Sequence, residues 1–144
     1  MKEQEARQRF TEARVARLAT VSPANDPHLV PICFAVDDRD EHGTIYSAVD
    51  AKPKTTPDLK RLRNIAANPS VTLLVDHYED DWTKVWWVRV DGTATLADDG
   101  PERANGLACL AAKYPQYAAD PALLGRMVVV RPTRWTFWAY RDSV

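Results

Sequence analysis

Lys52 and Lys54 stand two residues apart in the run Lys52-Pro53-Lys54-Thr55-Thr56-Pro57, between a candidate strand and a candidate helix. In an extended loop that spacing turns both ammonium groups to one side. Thr56 before Pro57 reads as an N-cap with proline at the first helical position. A helix N-terminus offers unpaired N–H groups and the positive end of a dipole, and the lysines add full charges just ahead of it. A phosphate or another oxyanion needs that combination. The same pattern also describes a solvated basic loop before an ordinary helix. Arg89 is the second chemical feature, set mid-strand in Trp86-Trp87-Val88-Arg89-Val90-Asp91-Gly92. An arginine beside tryptophans can hold phosphate or carboxylate while stacking on a ring, or it can close a cross-strand salt bridge.

Other reactive residues form no recognisable machinery. His28 opens a strand after a proline-rich turn, either near a ligand or as a plain strand-edge histidine. His77 lies among Asp76, Glu79, Asp80 and Asp81, but the spacing fits no standard metal site and reads as an acidic hairpin tip. Neither Gly-x-Ser-x-Gly, the Rossmann glycine pattern nor a P-loop occurs in the sequence. Cys33 and Cys109 sit far apart in apolar contexts and read as buried free thiols of a cytosolic protein. The five tryptophans fall in two stretches, 82–87 and 135–138, so aromatic surface is concentrated.

The elements that must position these residues follow from periodicity. Lys2 to Ala13 has the composition of a surface helix with few apolar side chains. Val15 to Val21 is a strand that stops at the dense turn signal Ser22-Pro23-Ala24-Asn25-Asp26-Pro27. His28 to Val36 is a mostly apolar strand, expected to be buried on both faces. After a polar hairpin loop over 37–43, Thr44 to Val49 returns as a strand. The helix following the lysine loop places Leu59, Leu62, Ile65 and Ala66 on one face and Lys60, Arg61 and Arg63 on the other. Val71 to Tyr78 is an apolar strand. Lys84 to Leu96 is the longest strand, with Trp86, Val88 and Val90 on one face and Val85, Trp87, Arg89 and Asp91 on the other. Gly92 marks a bulge or close approach. Pro101 to Tyr114 is a helix with Leu107, Leu110 and Ala111 inward, and Met127 to Tyr140 forms one or two more strands. This order, with hairpin-length links, predicts a closed antiparallel barrel with peripheral helices in a single domain over 1–144.

Bulk composition limits the function classes. The chain has 144 residues and a net charge of -1, from 19 basic and 20 acidic side chains, so no global field draws it to nucleic acid or an anionic membrane. Any anion site must be local. No apolar run is long enough to span a bilayer, and the charged, helical N-terminus is unlike a signal peptide, which points to the cytoplasm.

Taken together, these runs resemble the split-barrel flavin/deazaflavin oxidoreductases of the pyridoxamine 5'-phosphate oxidase-like superfamily. Within it the chain is most similar to the actinobacterial branch that uses coenzyme F-420. The resemblance spans nearly the whole chain. It rests on Val15 to Val21, Pro27 to Phe34, Lys52 to Thr56, Asn68 to Val71, Asp76-His77-Tyr78 and Trp86 to Ala94, in that order and spacing. It implies a mainly β fold with peripheral helices, a split antiparallel β-barrel forming a homodimer with two cofactor sites at the interface. A small domain can build a deep groove by sharing it. By the same resemblance, Lys52, Lys54, Thr55 and Thr56 bind the cofactor phosphate. Val30, Pro31, Ile32, Tyr46, Ser47 and Ala48 flank the ring, and Trp87 and Arg89 contribute from the site wall or the partner chain. FMN-dependent relatives usually carry Arg-x-x-x-Leu-Lys in the phosphate loop; Lys-x-Lys-Thr here favours F-420 without excluding FMN. The implied activity is hydride transfer between the reduced deazaflavin and a small electron-poor organic acceptor. The alternatives are an FMN enzyme of the same fold and a non-catalytic flavin or tetrapyrrole carrier. Trp87 or Trp135 are candidates to wall the acceptor pocket. His28 and Tyr46 are candidate proton donors beside solvent.

Overall fold

The structure, a computed structural model, describes residues 1–50 and 59–141. The lysine loop, with Lys52, Lys54, Thr55 and Thr56, lies outside the described residues. In chain order the elements are α1 (Glu3–Glu12), β1 (Ala16–Val21), β2 (Pro27–Ile32), β3 (Ala35–Val36), β4 (Ile45–Asp50), α2 (Lys60–Ala67), β5 (Ser70–His77), β6 (Trp86–Ala97), α3 (Gly100–Lys113), α4 (Pro115–Ala119) and β7 (Leu124–Ala139). All strand pairs are antiparallel, in the order β2-β1-β5-β6-β7-β4-β3. Among the described residues no helix is long and apolar enough to cross a membrane.

The ladder therefore has two ends, β2 and β3, and the barrel expected to be closed is split. The two ends still meet through side chains. Ile32 from β2 and Ile45 and Val49 from β4 enter one buried cluster with Leu18, Leu73, Val88, Val90, Val128 and Val130. The sheet is thus rolled around a common core, held by burial and not by a completed ladder. The single strand expected over His28 to Val36 is interrupted at Cys33 and Phe34, where the chain passes from one end of the sheet to the other. Its first half is an edge, and β2 is mostly exposed or half-buried instead of buried on both faces.

The helix α1 is more than a surface helix. Ala6 and Phe10 are fully buried, and the Phe10 ring lies 4.9 Å from Phe34 and 5.4 Å from Trp135. Two apolar side chains suffice because α1 plugs one end of the roll. Burying a phenylalanine this completely contributes about 2 kcal/mol. A second cluster, built on Tyr46, Leu110, Tyr114, Leu124, Met127 and Val129, packs α3 and α4 against the outer side of β4 and β7. The first half of β7 is covered on both sides, which is why Met127 to Val130 is an unbroken apolar run.

β6 alternates as expected, with Val88 and Val90 buried and Trp87, Arg89 and Asp91 half-buried on the other face. The ladder to β7 shifts between Asp91 and Gly92, and a Cβ at Gly92 would lie 2.7 Å from the Arg131 carbonyl oxygen. Both readings of this glycine hold, bulge and close approach. β7 is one continuous strand. The helix after the lysine loop starts at Lys60 with Leu59 in the N-cap position, later than Pro57; Thr56 and Pro57 fall outside the described residues. Both cysteines are free, as expected, but neither is fully buried. Cys33 is exposed where the strand breaks, and Cys109 is half-buried.

Candidate functional site

The split between β2 and β4 creates a hollow of about 270 Å³. Pro31, Ile32 and Cys33 form one wall, Ser47 and Ala48 the other, with Arg61, Val15 and Tyr117 around the mouth. Ser47 crosses the split by donating its hydroxyl to the Cys33 carbonyl at 2.8 Å. That bond substitutes for a ladder rung and leaves the seam open beyond it. Cys33, Ser47 and Ala48 are small, so on their side no long side chain fills the hollow.

The helix α2 sets the position of Arg61. Leu62 and Ile65 anchor its apolar face in the barrel core, and the buried Asn64 amide donates to Thr20 Oγ1 at 3.0 Å. A buried amide–hydroxyl pair fixes rotation as well as depth, because any slippage leaves both groups unsatisfied. The polar face then points Lys60 and Arg61 outward toward the same end of β2. There His28 is held below its ordinary pKa, first by partial burial and then by Lys60 and Arg61. Its Nδ1 is buried without a hydrogen-bond partner.

Four of the residues expected beside a ring system, Pro31, Ile32, Ser47 and Ala48, thus converge on one hollow. Val30 turns inward and packs on the barrel core. Tyr46 faces the opposite way, under α3, where its hydroxyl accepts from Asn105 Nδ2 at 3.0 Å. Burial pushes its phenol pKa up. Asn105 Nδ2 also donates to Asp37 at 2.8 Å, so the Tyr46 hydroxyl is held in a network under α3. Trp135 closes the α1 end of the barrel beneath the Arg7 guanidinium, 4.8 Å from its ring, away from the seam.

Trp87 and Arg89 lie elsewhere, on the outward face of the sheet. With Arg17, Leu29, Leu74 and Tyr78 they line a shallow depression of about 410 Å³. Among the described residues Arg89 makes no cross-strand salt bridge. Its guanidinium sits 5.8 Å from the Trp87 ring and 3.9 Å from Asp91 on its own strand, a long and half-exposed contact. At the acidic tip between β5 and β6, His77 pairs with Glu79. Sequence reasoning missed Arg61 and Cys33 as lining residues. Arg61 had a signal, its place in the first turn of an amphipathic helix beside the lysine loop. Cys33 had none, because only the strand break exposes it.

The fold and its outer edges match known proteins. A conserved hypothetical protein of Mycobacterium tuberculosis superposes with a TM-score of 0.76 at 22% identity, covering 98% of this chain and 86% of that one. A FAD-binding protein of Mesorhizobium loti gives 0.67 at 20% identity, covering 95% and 92%. HutZ, a heme storage protein of Vibrio cholerae, gives 0.67 at 16% identity, covering 94% and 90%. No curated protein matches the sequence. The family model described as pyridoxamine 5'-phosphate oxidase matches residues 3–139, nearly the entire chain. With the split antiparallel roll and its open seam, that match places the chain in the pyridoxamine 5'-phosphate oxidase family.

Proposed function

We propose that the chain is a coenzyme F-420-dependent oxidoreductase of the cytoplasm, working as a homodimer on a small electron-poor organic acceptor. The observation that supports this most is the seam hollow itself, where Pro31, Ile32 and Cys33 face Ser47 and Ala48, with Arg61 beside them. Among its described lining residues there is no histidine or carboxylate to activate Cys33 or Ser47 as a nucleophile. A bound deazaflavin would supply the hydride chemistry. The chain's own residues bind, orient and exclude water.

Pro31, Ile32, Ser47 and Ala48 fit the flat ring, since backbone can approach a planar group more closely than long side chains allow. Arg61 and Lys60, with the spare Nδ1 of His28, form a positive corner at the start of α2 that suits an anionic tail. Lys52, Lys54, Thr55 and Thr56, which precede α2 in the sequence, are the residues this reading gives to the cofactor phosphate. Among the described lining residues there is no histidine or carboxylate to act as the acid, and solvent is taken to supply the proton that accompanies the hydride. Trp87, Arg89 and the outward face are assigned to pairing with a second copy, which would deepen the groove that the hollow begins.

Absorbance titration with F-420 and with FMN tests the reading directly. Binding of F-420 at micromolar concentration, followed by oxidation of reduced F-420 in the presence of nitro, quinone or unsaturated lactone acceptors, is the expected result. Failure of F-420 to bind sinks it. Tight binding of FMN instead would favour the second reading, which the family match supports equally. Binding without turnover would make the protein a carrier. Arg61→Ala and Lys54→Ala should each weaken F-420 binding by about tenfold, the value of one charge-assisted contact, and leave the remainder less sensitive to salt.

A further inference from the structure

A hollow of about 600 Å³ lies on the other side of the molecule from the outward sheet face, between the end of α1, β3 and α3. Its floor is Ala35, Val36, Ala108 and Ala112, and Lys113 stands at one end. The lysine is half-buried. Its Nζ donates to the Ala13 carbonyl at 2.6 Å and lies 3.9 Å from the centre of the Phe34 ring. We propose that Lys113 is a covalent site for small uncharged aldehydes, its ε-amine condensing with the carbonyl carbon inside this hollow to give an imine and release water.

Three features select this residue and this chemistry. First, the surroundings favour a free amine. Burial, and next the Arg14 cation, pull Lys113 from its ordinary 10.5 down to about 8. The charged groups facing the hollow are Glu12 and Arg14 after α1, Asp37, Asp38 and Arg39 after β3, and Lys113 itself on α3. Arg39 is engaged by Asp37 and Asn105. With Lys113 neutral, the three acids outnumber the two arginines, which disfavours an anionic aldehyde. Second, the competing nucleophile is silent. Cys109 shares the hollow, but burial raises its thiol pKa, keeping it protonated. Third, the adduct suits its site. A protonated imine keeps one N–H for the Ala13 carbonyl and a positive charge over Phe34, while its substituent extends along the alanine floor. An amide formed by acylation would forfeit the charge and the ring contact.

The test labels the native protein with propanal and cyanoborohydride at a series of pH values and reads each lysine by peptide mass spectrometry. A neutral fraction raised by the lower pKa, offset in part by lower basicity and by burial, should label Lys113 about tenfold faster than exposed Lys60 near neutral pH. Its labelling should half-rise near pH 8, and the preference should vanish in urea. Labelling no faster than Lys60, or a half-rise two units higher, overturns the proposal. Ala112→Phe fills the hollow beside the amine and should slow labelling of Lys113 severalfold without altering Lys60. An unchanged Lys113 rate in a folded Ala112→Phe protein would show that the hollow takes no part, and would equally overturn it. Neither arm involves F-420 binding, so the outcome is independent of the cofactor assignment.

Discussion

Tyr114 joins three segments through one oxygen. Its hydroxyl accepts from the Phe34 backbone N–H at 3.0 Å and faces the carbonyls of Phe34 at 2.8 Å and Arg14 at 3.0 Å. The Phe34 groups are those that the break between β2 and β3 strips of ladder partners, and the Arg14 carbonyl belongs to the link from α1 to β1. A tyrosine at the end of α3 thus satisfies the strand break that opens the seam. Tyr114→Phe keeps the ring and removes the oxygen, leaving a buried N–H unpaired. We expect a loss of about 1–3 kcal/mol in urea denaturation; a change within a few tenths would show that water replaces the hydroxyl. Lys113, the preceding residue, gives a pH dependence. Its folded pKa, about 8, lies below its unfolded 10.5, so between these values the unfolded chain binds more protons and stability rises with pH. Below pH 8 the buried ammonium costs stability, partly offset by Ala13 and Phe34. Lys113→Met should flatten the rise between pH 8 and 10 relative to the parent, as read from urea midpoints. An identical pH profile in the variant would mean that the ammonium is as well solvated in the fold as outside it.

At the scale of elements, the bulge at Gly92 is where β6 must bend to keep the sheet rolled. An alanine there would press its Cβ against the Arg131 carbonyl oxygen at 2.7 Å and Val130 Cγ1 at 2.8 Å. Backbone cannot retreat as a side-chain tip can. Gly92→Ala should therefore cost about 1–3 kcal/mol while far-ultraviolet circular dichroism stays that of a β protein. The glycine was legible in the sequence because it interrupts a strong two-residue alternation. Alternation also carried β5, β6 and the inward and outward faces of Trp86, Trp87 and Arg89. What was not legible depends on contacts distant in the chain. The apolar run from His28 to Val36 has the composition of a central strand, and nothing local shows that it breaks at Cys33 to serve both ends of the sheet. α1 has too few apolar residues to declare itself a plug, since its burial is set by the barrel end it fills. The same reason separates the site residues. Pro31, Ile32, Ser47 and Ala48 share the seam because β2 ends there beside β4, whereas Tyr46 lies under α3, held by Asn105.

The whole molecule leaves one face of its sheet apolar. Leu29 is 66% exposed, Tyr78 66% and Trp138 43%, with Trp87 and Leu74 between them on the depression that also holds Arg17 and Arg89. Isolated exposed apolar residues are ordinary, but several on one sheet face mark a surface that meets something. We take the occupant to be a second copy. A twofold axis would pair the outward sheet faces of two rolls, bring Trp87 and Arg89 to the partner, and enlarge the seam hollow. Leu29 is the residue on which to test this, because it is outward on an edge strand and touches no core cluster. Leu29→Asp sets two carboxylates in an apolar interface near the axis, while the monomer loses only an exposed side chain. We expect the parent to sediment as a dimer at micromolar concentration and the variant as a monomer with little change in urea midpoint. If the groove is shared, F-420 affinity should fall with dissociation, by about tenfold or more, since each lost charge-assisted contact is worth roughly that factor. A parent that sediments as a monomer would remove the shared groove. A monomeric variant that binds F-420 as tightly as the parent would confine the site to the seam of one chain.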